Sequence, residues 1–188
     1  LAGLRSTLLV GAALLLIGLF GLWTPGLDTL IITFVAVIVS VLIGVPIGIA
    51  AAHRPKLYSA MSPILDLMQT LPTFVYLIPV VMLLGIGRVP GFIAVVIYAL
   101  PPIIRLTDLG IRLVDKEVLE AADAYGCSRN QKLWKVQLPL ALPTIMTGIN
   151  QTIMMALAMV VIAAMIGVQG LGQPVLKAIA NQYFTLGI

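Results

Sequence analysis

Two sets of residues in this chain carry groups capable of chemistry, and neither is built for covalent work. The first lies between Arg105 and Lys135, where 11 of the 18 charged residues crowd between long apolar flanks. From its centre onward the chain reads Glu120-Ala121-Ala122, then Gly126, then, just past Lys135, Leu138-Pro139. Small alanines permit close approach of a partner, a glycine permits a tight turn, and Glu120 offers an ionic or capping contact. The chemistry of such a segment is docking. The second set is Asp66, Gln69, Thr70 and Tyr76, strung along an apolar stretch that also holds Pro72 and Pro79. Polar groups inside a lipid-embedded segment are costly and usually face protein or water, so these four are candidates to line a pathway. Asp66 stands near the end of its segment and equally fits interfacial exposure. Gln69 and Thr70 equally fit hydrogen bonds to carbonyls that Pro72 leaves free.

Other chemistry finds little support. His53 has no metal or catalytic partner pattern and reads as a residue at headgroup level. Cys127 is the only cysteine, which excludes a disulfide within the chain and a thiolate metal cluster. The apolar segments hold no acid pair, histidine pair or Ser–Lys arrangement of the kind an intramembrane enzyme needs. A secondary transporter for small polar solutes is the rival reading, but its ion-coupling groups at mid-span and its inverted repeat are not visible. Met146, Met154, Met155, Met159 and Met165 read as adaptable packing at helix contacts rather than a copper relay. Tyr76, Tyr98 and Trp23 invite a cation–π reading, yet aromatics are 6% of the chain and no cluster of three stands out.

These residues must be positioned by a membrane scaffold. The chain is 61% hydrophobic and 10% charged, far from the ~25% charge of soluble domains. Uncharged runs cover 6–27, 29–52, 67–87, 89–104 and 136–176, and about 20 apolar residues cross a bilayer as helix. The fold class is all-α, a polytopic membrane protein. Spans are expected near 4–23, 29–52, 61–84, 91–110 and 142–166. Trp23, Pro25 and Gly26 should form the first turn, Gly44 and Pro46 should kink the second span, and Pro72 and Pro79 should bend the third. Gly44 and Gly48 form a GxxxG packing motif. Residues 85–91 and 167–174 read as glycine-rich turns, and 174–182 as a short amphipathic piece.

The net charge of +4 reads as topology rather than a nucleic-acid footprint, because Lys and Arg collect on the cytoplasmic side. With Arg5 inside, parity places Arg54, Lys56 and the charged segment in the cytoplasm, and Asp28, Arg88 and 167–174 outside. No cleavable signal peptide is evident. The start at Leu1 and the apolar end at Ile188 imply further protein at both ends, including a span beginning after Phe184.

The charged segment reads as two short helices, 115–126 and 128–138, within an insert of about 113–139. Val118, Ala122 and Tyr125 share one face. Gly126 is a C-cap, and Ser128 with Gln131 makes a capping box. Trp134 fits either an interfacial anchor or packing against the spans.

The spacing Glu120-Ala121-Ala122, Gly126, Val136, Leu138-Pro139 resembles the cytoplasmic loop of binding-protein-dependent ABC importer permeases. That family usually has isoleucine where this chain has Val136. Residues 69–80 (QTLPTFVYLIPV) and 166–182 (IGVQGLGQPVLKAIANQ) resemble the branch importing quaternary amines of the glycine betaine and proline betaine type. The resemblance covers essentially all 188 residues. It implies a type I (MetI-like) transmembrane domain, 1–188, from a bacterial inner membrane, with no cofactor and no catalysis of its own. It further implies a second permease copy, a cytoplasmic ABC ATPase dimer that binds the ATP, and a periplasmic substrate-binding protein. By the same resemblance Glu120, Ala121, Ala122, Gly126, Leu138 and Pro139 would couple to the ATPase.

Overall fold

The computed structural model describes residues 2–181; the proposed span after Phe184 and Gln182 of the amphipathic piece lie outside them, as does the Arg5 side chain. All regular structure among the described residues is helical: α1 Ala2–Leu19, α2 Trp23–His53, α3 Pro55–Thr70, α4 Phe74–Leu84, α5 Arg88–Arg112, α6 Lys116–Ala124, α7 Arg129–Lys132, α8 Leu138–Ala163 and α9 Gly172–Ala180. Helices α2 and α5 are each long and apolar enough to cross a membrane, as is the composite Arg129–Ile166. The pair α3 and α4 passes the same test as one span bent by 100°. Lipid offers backbone groups no partners, which is why Val/Ile-rich segments that would favour strands in water become helices here.

Helix α5 is the hub, packed against α8, α2, α4 and α3. The α2 seam presents Ala36, Ser40, Gly44, Gly48 and Ala51, all buried. A Cβ on Gly44 would lie 2.4 Å from Ile103 Cγ2, and one on Gly48 would lie 2.8 Å from the Ile104 carbonyl oxygen. The GxxxG pair is thus a backbone-approach device against α5. Such close packing matters because lipid supplies no hydrophobic drive between helices. One apolar core joins α2, α4, α5 and α8 around Val95 and Met159, and a second surrounds Ile103, Ala141 and Ile145.

Three boundaries differ from the sequence expectations. The first turn falls at 20–22, where Gly21 takes φ 69°, and Trp23, Pro25 and Gly26 open α2 instead. Proline is tolerated in a first helical turn because its missing N–H had no partner there. The third span starts at Pro55 rather than 61 and is two helices broken at 71–73. Finally, the second short helix of the charged segment does not stop at Leu138-Pro139. It runs through a π-turn, Leu133–Gln137, straight into α8. There Leu138 N–H donates to the Leu133 carbonyl five residues back. Proline cannot donate and crowds the turn before it; the wider π geometry accommodates Pro139 without ending the helix. Helix α2, by contrast, stays continuous through Pro46.

The two ends of the bundle are distinct. Arg88 donates to Gln169, and both line a groove of about 280 Å³ with Asp28. At the other end His53 meets Gln137, and Arg112 reaches Ala51. The bent α3–α4 pair carries the chain from the His53 end to the Arg88 end.

Candidate functional site

The charged segment folds as a helical hairpin on the His53 end. Asp115 caps α6 by accepting from Glu117 N–H at 3.0 Å. At the far end of α6, Gly126 adopts φ 73°, Gly126 N–H donates to Asp123 O at 2.9 Å, and Cys127 N–H donates to Ala122 O at 3.1 Å. This pair of bonds is a Schellman cap, which favours glycine because its backbone is left-handed. Ser128 then opens α7 with the expected capping box: Gln131 N–H donates to Ser128 Oγ, and Ser128 N–H donates to Gln131 Oε1 at 2.9 Å. Two consecutive caps make the 125–128 connection a defined corner. Lys132 Nζ closes the hairpin on Asp123, at 2.5 and 2.7 Å from its two carboxylate oxygens.

The hairpin's faces differ from the expected grouping. Ala122 is buried, but Val118 and Tyr125 are not; Tyr125 is 89% exposed. The inward side is Leu119 with Ala122, and Leu119 lines a cavity of about 340 Å³ with His53, Asp123, Arg129, Lys132 and Gln137. Glu120 and Ala121 are exposed, as is Pro139, while Leu138 is half-buried. Glu120 has no hydrogen-bond or ionic partner among the described residues. Trp134 is 68% exposed, beside the π-turn. Together Glu120, Ala121, Tyr125 and Trp134 leave the hairpin a free surface, whereas Ala122 belongs to its base.

Side chains outside the two candidate sets fasten the span ends together at the base of this hairpin. Asp108, 4% exposed at its side chain, accepts from Arg112 Nε at 2.8 Å. The same guanidinium donates to Ala51 O at 3.2 Å and lies 4.6 Å above the Tyr58 ring. Arg112 thus ties the end of α5 to the α2–α3 corner. His53, the last residue of α2, is half-buried. Its Nδ1 lies 2.9 Å from Ile49 O and must donate, since a carbonyl only accepts. Its Nε2 contacts the Gln137 carboxamide at 3.2 Å.

The second candidate set is brought together only in part. Asp66 pairs with Arg105 of α5, a partner 39 residues away. Gln69 is exposed, and Thr70 bonds back to Asp66 O and Leu67 O at 3.1 Å. The carbonyl that Pro72 strands is that of Met68, and Tyr76 takes it: its hydroxyl donates to Met68 O across the bend. The Tyr76 ring packs edge-on against Tyr98, with centroids 5.4 Å apart. Tyr76 therefore secures the α3–α4 break, and neither Gln69 nor Thr70 serves that purpose.

The architecture is thus a helical membrane bundle with a capped hairpin at one end, and comparisons with known proteins give its class. Residues 44–188 match the family of binding-protein-dependent transport system inner membrane components, and the chain belongs to that family. It is 53% identical over 169 residues to the glycine betaine/proline betaine transport system permease protein ProW of Escherichia coli K12, covering 90% of this chain and 48% of that protein. It is 51% identical to the glycine betaine transport system permease protein OpuAB of Bacillus subtilis 168, covering 93% and 62%. The trimethylamine N-oxide transport system permease protein TmoV of Ruegeria pomeroyi is 44% identical, covering 100% and 29%. The chain spans about half the length of the curated relatives it matches. Among solved structures, an inward-facing MetNI methionine ABC transporter chain superposes with TM-score 0.73 at 26% identity, covering 83% of this chain and 79% of that one.

Proposed function

We propose that this chain is the membrane-spanning core, 1–188, of a permease subunit in an ATP-driven importer for glycine betaine or proline betaine. It works as a homodimer with two ABC ATPase subunits beneath it and a periplasmic binding protein above. ATP is bound and hydrolysed by the partner; this subunit carries no cofactor and forms no covalent intermediate. The insert 113–139 is the coupling element, with Glu120, Ala121, Ala122, Gly126, Leu138 and Pro139 at its contact and hinge positions. The observation that carries the reading is the hairpin itself. A double-capped corner at Gly126, latched by Lys132–Asp123, is stiff enough to pass on a partner's movement, and Glu120 and Ala121 stand exposed upon it. The names of the relatives supply the substrate class.

The test uses the full-length protein co-purified with its ATPase and reconstituted with its receptor. Glu120→Arg, or Gly126→Val, which forces a branched residue into left-handed backbone, should abolish labelled betaine uptake while the permease still inserts and dimerises. Normal uptake by both variants rejects the coupling role.

A further inference from the structure

Asn150 and Gln151 are the two central residues of the 26-residue helix α8. Both are exposed in the protomer, and neither carboxamide has a hydrogen-bond partner among the described residues. With Thr147 they form a polar belt on a face that otherwise shows Pro143, Met146, Met154 and Leu157. The opposite face, through Ala141, Ile145, Gly148, Thr152 and Ala156, is buried, with Gly148 set against Leu106 and Ile103 of α5.

Hydrocarbon is the wrong solvent for that belt. A primary carboxamide carries two donors and an acceptor with two lone pairs, and at the middle of a span it is furthest from headgroup water. Helix propensity gives no reason for two adjacent amides there. The bland alternative is a dry seam between two copies, but such seams favour Gly, Ala and Ser so that backbones can approach. This face presents long flexible Met146 and Met154 beside the amides, and the close-packing glycine of α8, Gly148, points the other way. Water is the medium that suits the belt.

We infer that Asn150 and Gln151, with Thr147 beside them, line the water-filled passage and form a weak mid-membrane station for a small trimethylated zwitterion. This rests on the transport reading above and identifies the contact residues it leaves open. Carboxamides fit such a solute: their oxygens face the trimethylammonium head and their N–H groups the carboxylate. Being uncharged, they hold neither end tightly, and conduction requires binding loose enough to release. The methionines give adaptable apolar contact with the methyl groups. Helix α8 is also continuous with α7 through the π-turn, which connects the belt to the hairpin.

The full-length permease with its ATPase, freed of native cysteines including Cys127, is tested as single-cysteine variants Asn150→Cys, Gln151→Cys and, as a lipid-facing reference, Leu42→Cys, which is exposed on α2. The probe is 2-(trimethylammonium)ethyl methanethiosulfonate, membrane-impermeant and itself a quaternary amine, with mass spectrometry as readout. Positions 150 and 151 should be modified at least about tenfold faster than 42, because the reactive thiolate forms readily in water and is suppressed in apolar surroundings, and excess glycine betaine should slow them. Absence of labelling at both positions, or oxidative crosslinking of Asn150→Cys between copies without labelling, overturns the passage. Labelling that glycine betaine does not slow overturns the station. These readouts need no turnover, so uncoupled Glu120 or Gly126 variants that still label separate failure of the coupling reading from failure of this one.

Discussion

Replacing Gly48 by alanine should destabilise the protein although alanine is the better helix former. The added Cβ would lie 2.6 Å from Thr107 Cβ, 2.9 Å from Thr107 Cγ2 and 2.8 Å from the Ile104 carbonyl oxygen. Ordinary carbon contacts need about 3.5–4.0 Å, so α2 and α5 must separate by roughly 1 Å along their tightest seam. Thr107 is fully buried and Ile104 O is backbone, so neither can swing aside. Overpacking of this kind costs about 1–3 kcal/mol, plus whatever dispersion is lost along the opened seam, against a gain of at most about 1 kcal/mol from helix propensity. Gly18 is the matched control, because a Cβ there meets nothing within 4 Å and only the propensity gain remains. Thermal unfolding of the detergent-solubilised full-length protein, followed by size-exclusion chromatography of the surviving fraction, should show Gly48→Ala melting several degrees below wild type. Gly18→Ala should melt at or above it. Equal midpoints for the two variants would refute the close-approach account of the α2–α5 seam.

Two further substitutions probe the connections between spans and hairpin. Tyr76→Phe keeps the ring contact with Tyr98 but strands Met68 O; a loss of about 1 kcal/mol should appear as faster proteolysis at 71–73, and unchanged cleavage would deny Tyr76 its role at the bend. Arg112→Leu leaves the buried Asp108 carboxylate unpaired and should cost about 3 kcal/mol; adding Asp108→Leu should restore a substantial part of it in a double-mutant cycle of unfolding midpoints, and strict additivity would show that the pair is not coupled.

The all-helical scaffold was legible because bilayer physics leaves a chain this apolar few options. The corner at Gly126 was legible too, since caps are local: Ser128 and Gln131 stand three residues apart, and glycine is the favoured residue for a left-handed C′ position. What escaped were partnerships set by tertiary packing. No spacing rule pairs Asp66 with Arg105 or Arg112 with Ala51, and none foretells that Tyr76 rather than Gln69 or Thr70 answers the Met68 carbonyl. Proline misled in both directions. Pro25 looked like a turn but opens a helix, where its missing donor is harmless. Pro139 looked like a stop, but a π-turn lets the helix pass. The Asn150–Gln151 belt was overlooked because amides inside an apolar run register as a minor dip in hydropathy; their position at the helix centre, on its unburied side, became evident only once the packed face was known.

The continuity at Pro139 changes the mechanics open to the hairpin. Two short helices joined to the spans by flexible turns would dissipate a push from below. Here α7, the π-turn, α8 and the closing 3-10 turn Ala164–Ile166 form one rod of 38 residues, Arg129–Ile166, about 57 Å at helical rise. The rod is held near its base by Lys132–Asp123 and His53–Gln137, and along its length by the buried small-residue face against α5. Of these restraints the two polar ones are local and reversible, whereas the packed seam is not easily sheared. A force applied at the exposed Glu120–Ala121 surface therefore acts with least resistance on the π-turn, whose backbone geometry lies farthest from the ideal helix. Converting π to α there, or shifting it along the rod, would turn the hairpin relative to α8 while the packed α5–α8 seam holds. Under the proposed coupling, a push on the hairpin then reaches Asn150 and Gln151 by moving α5 and α8 together as one body.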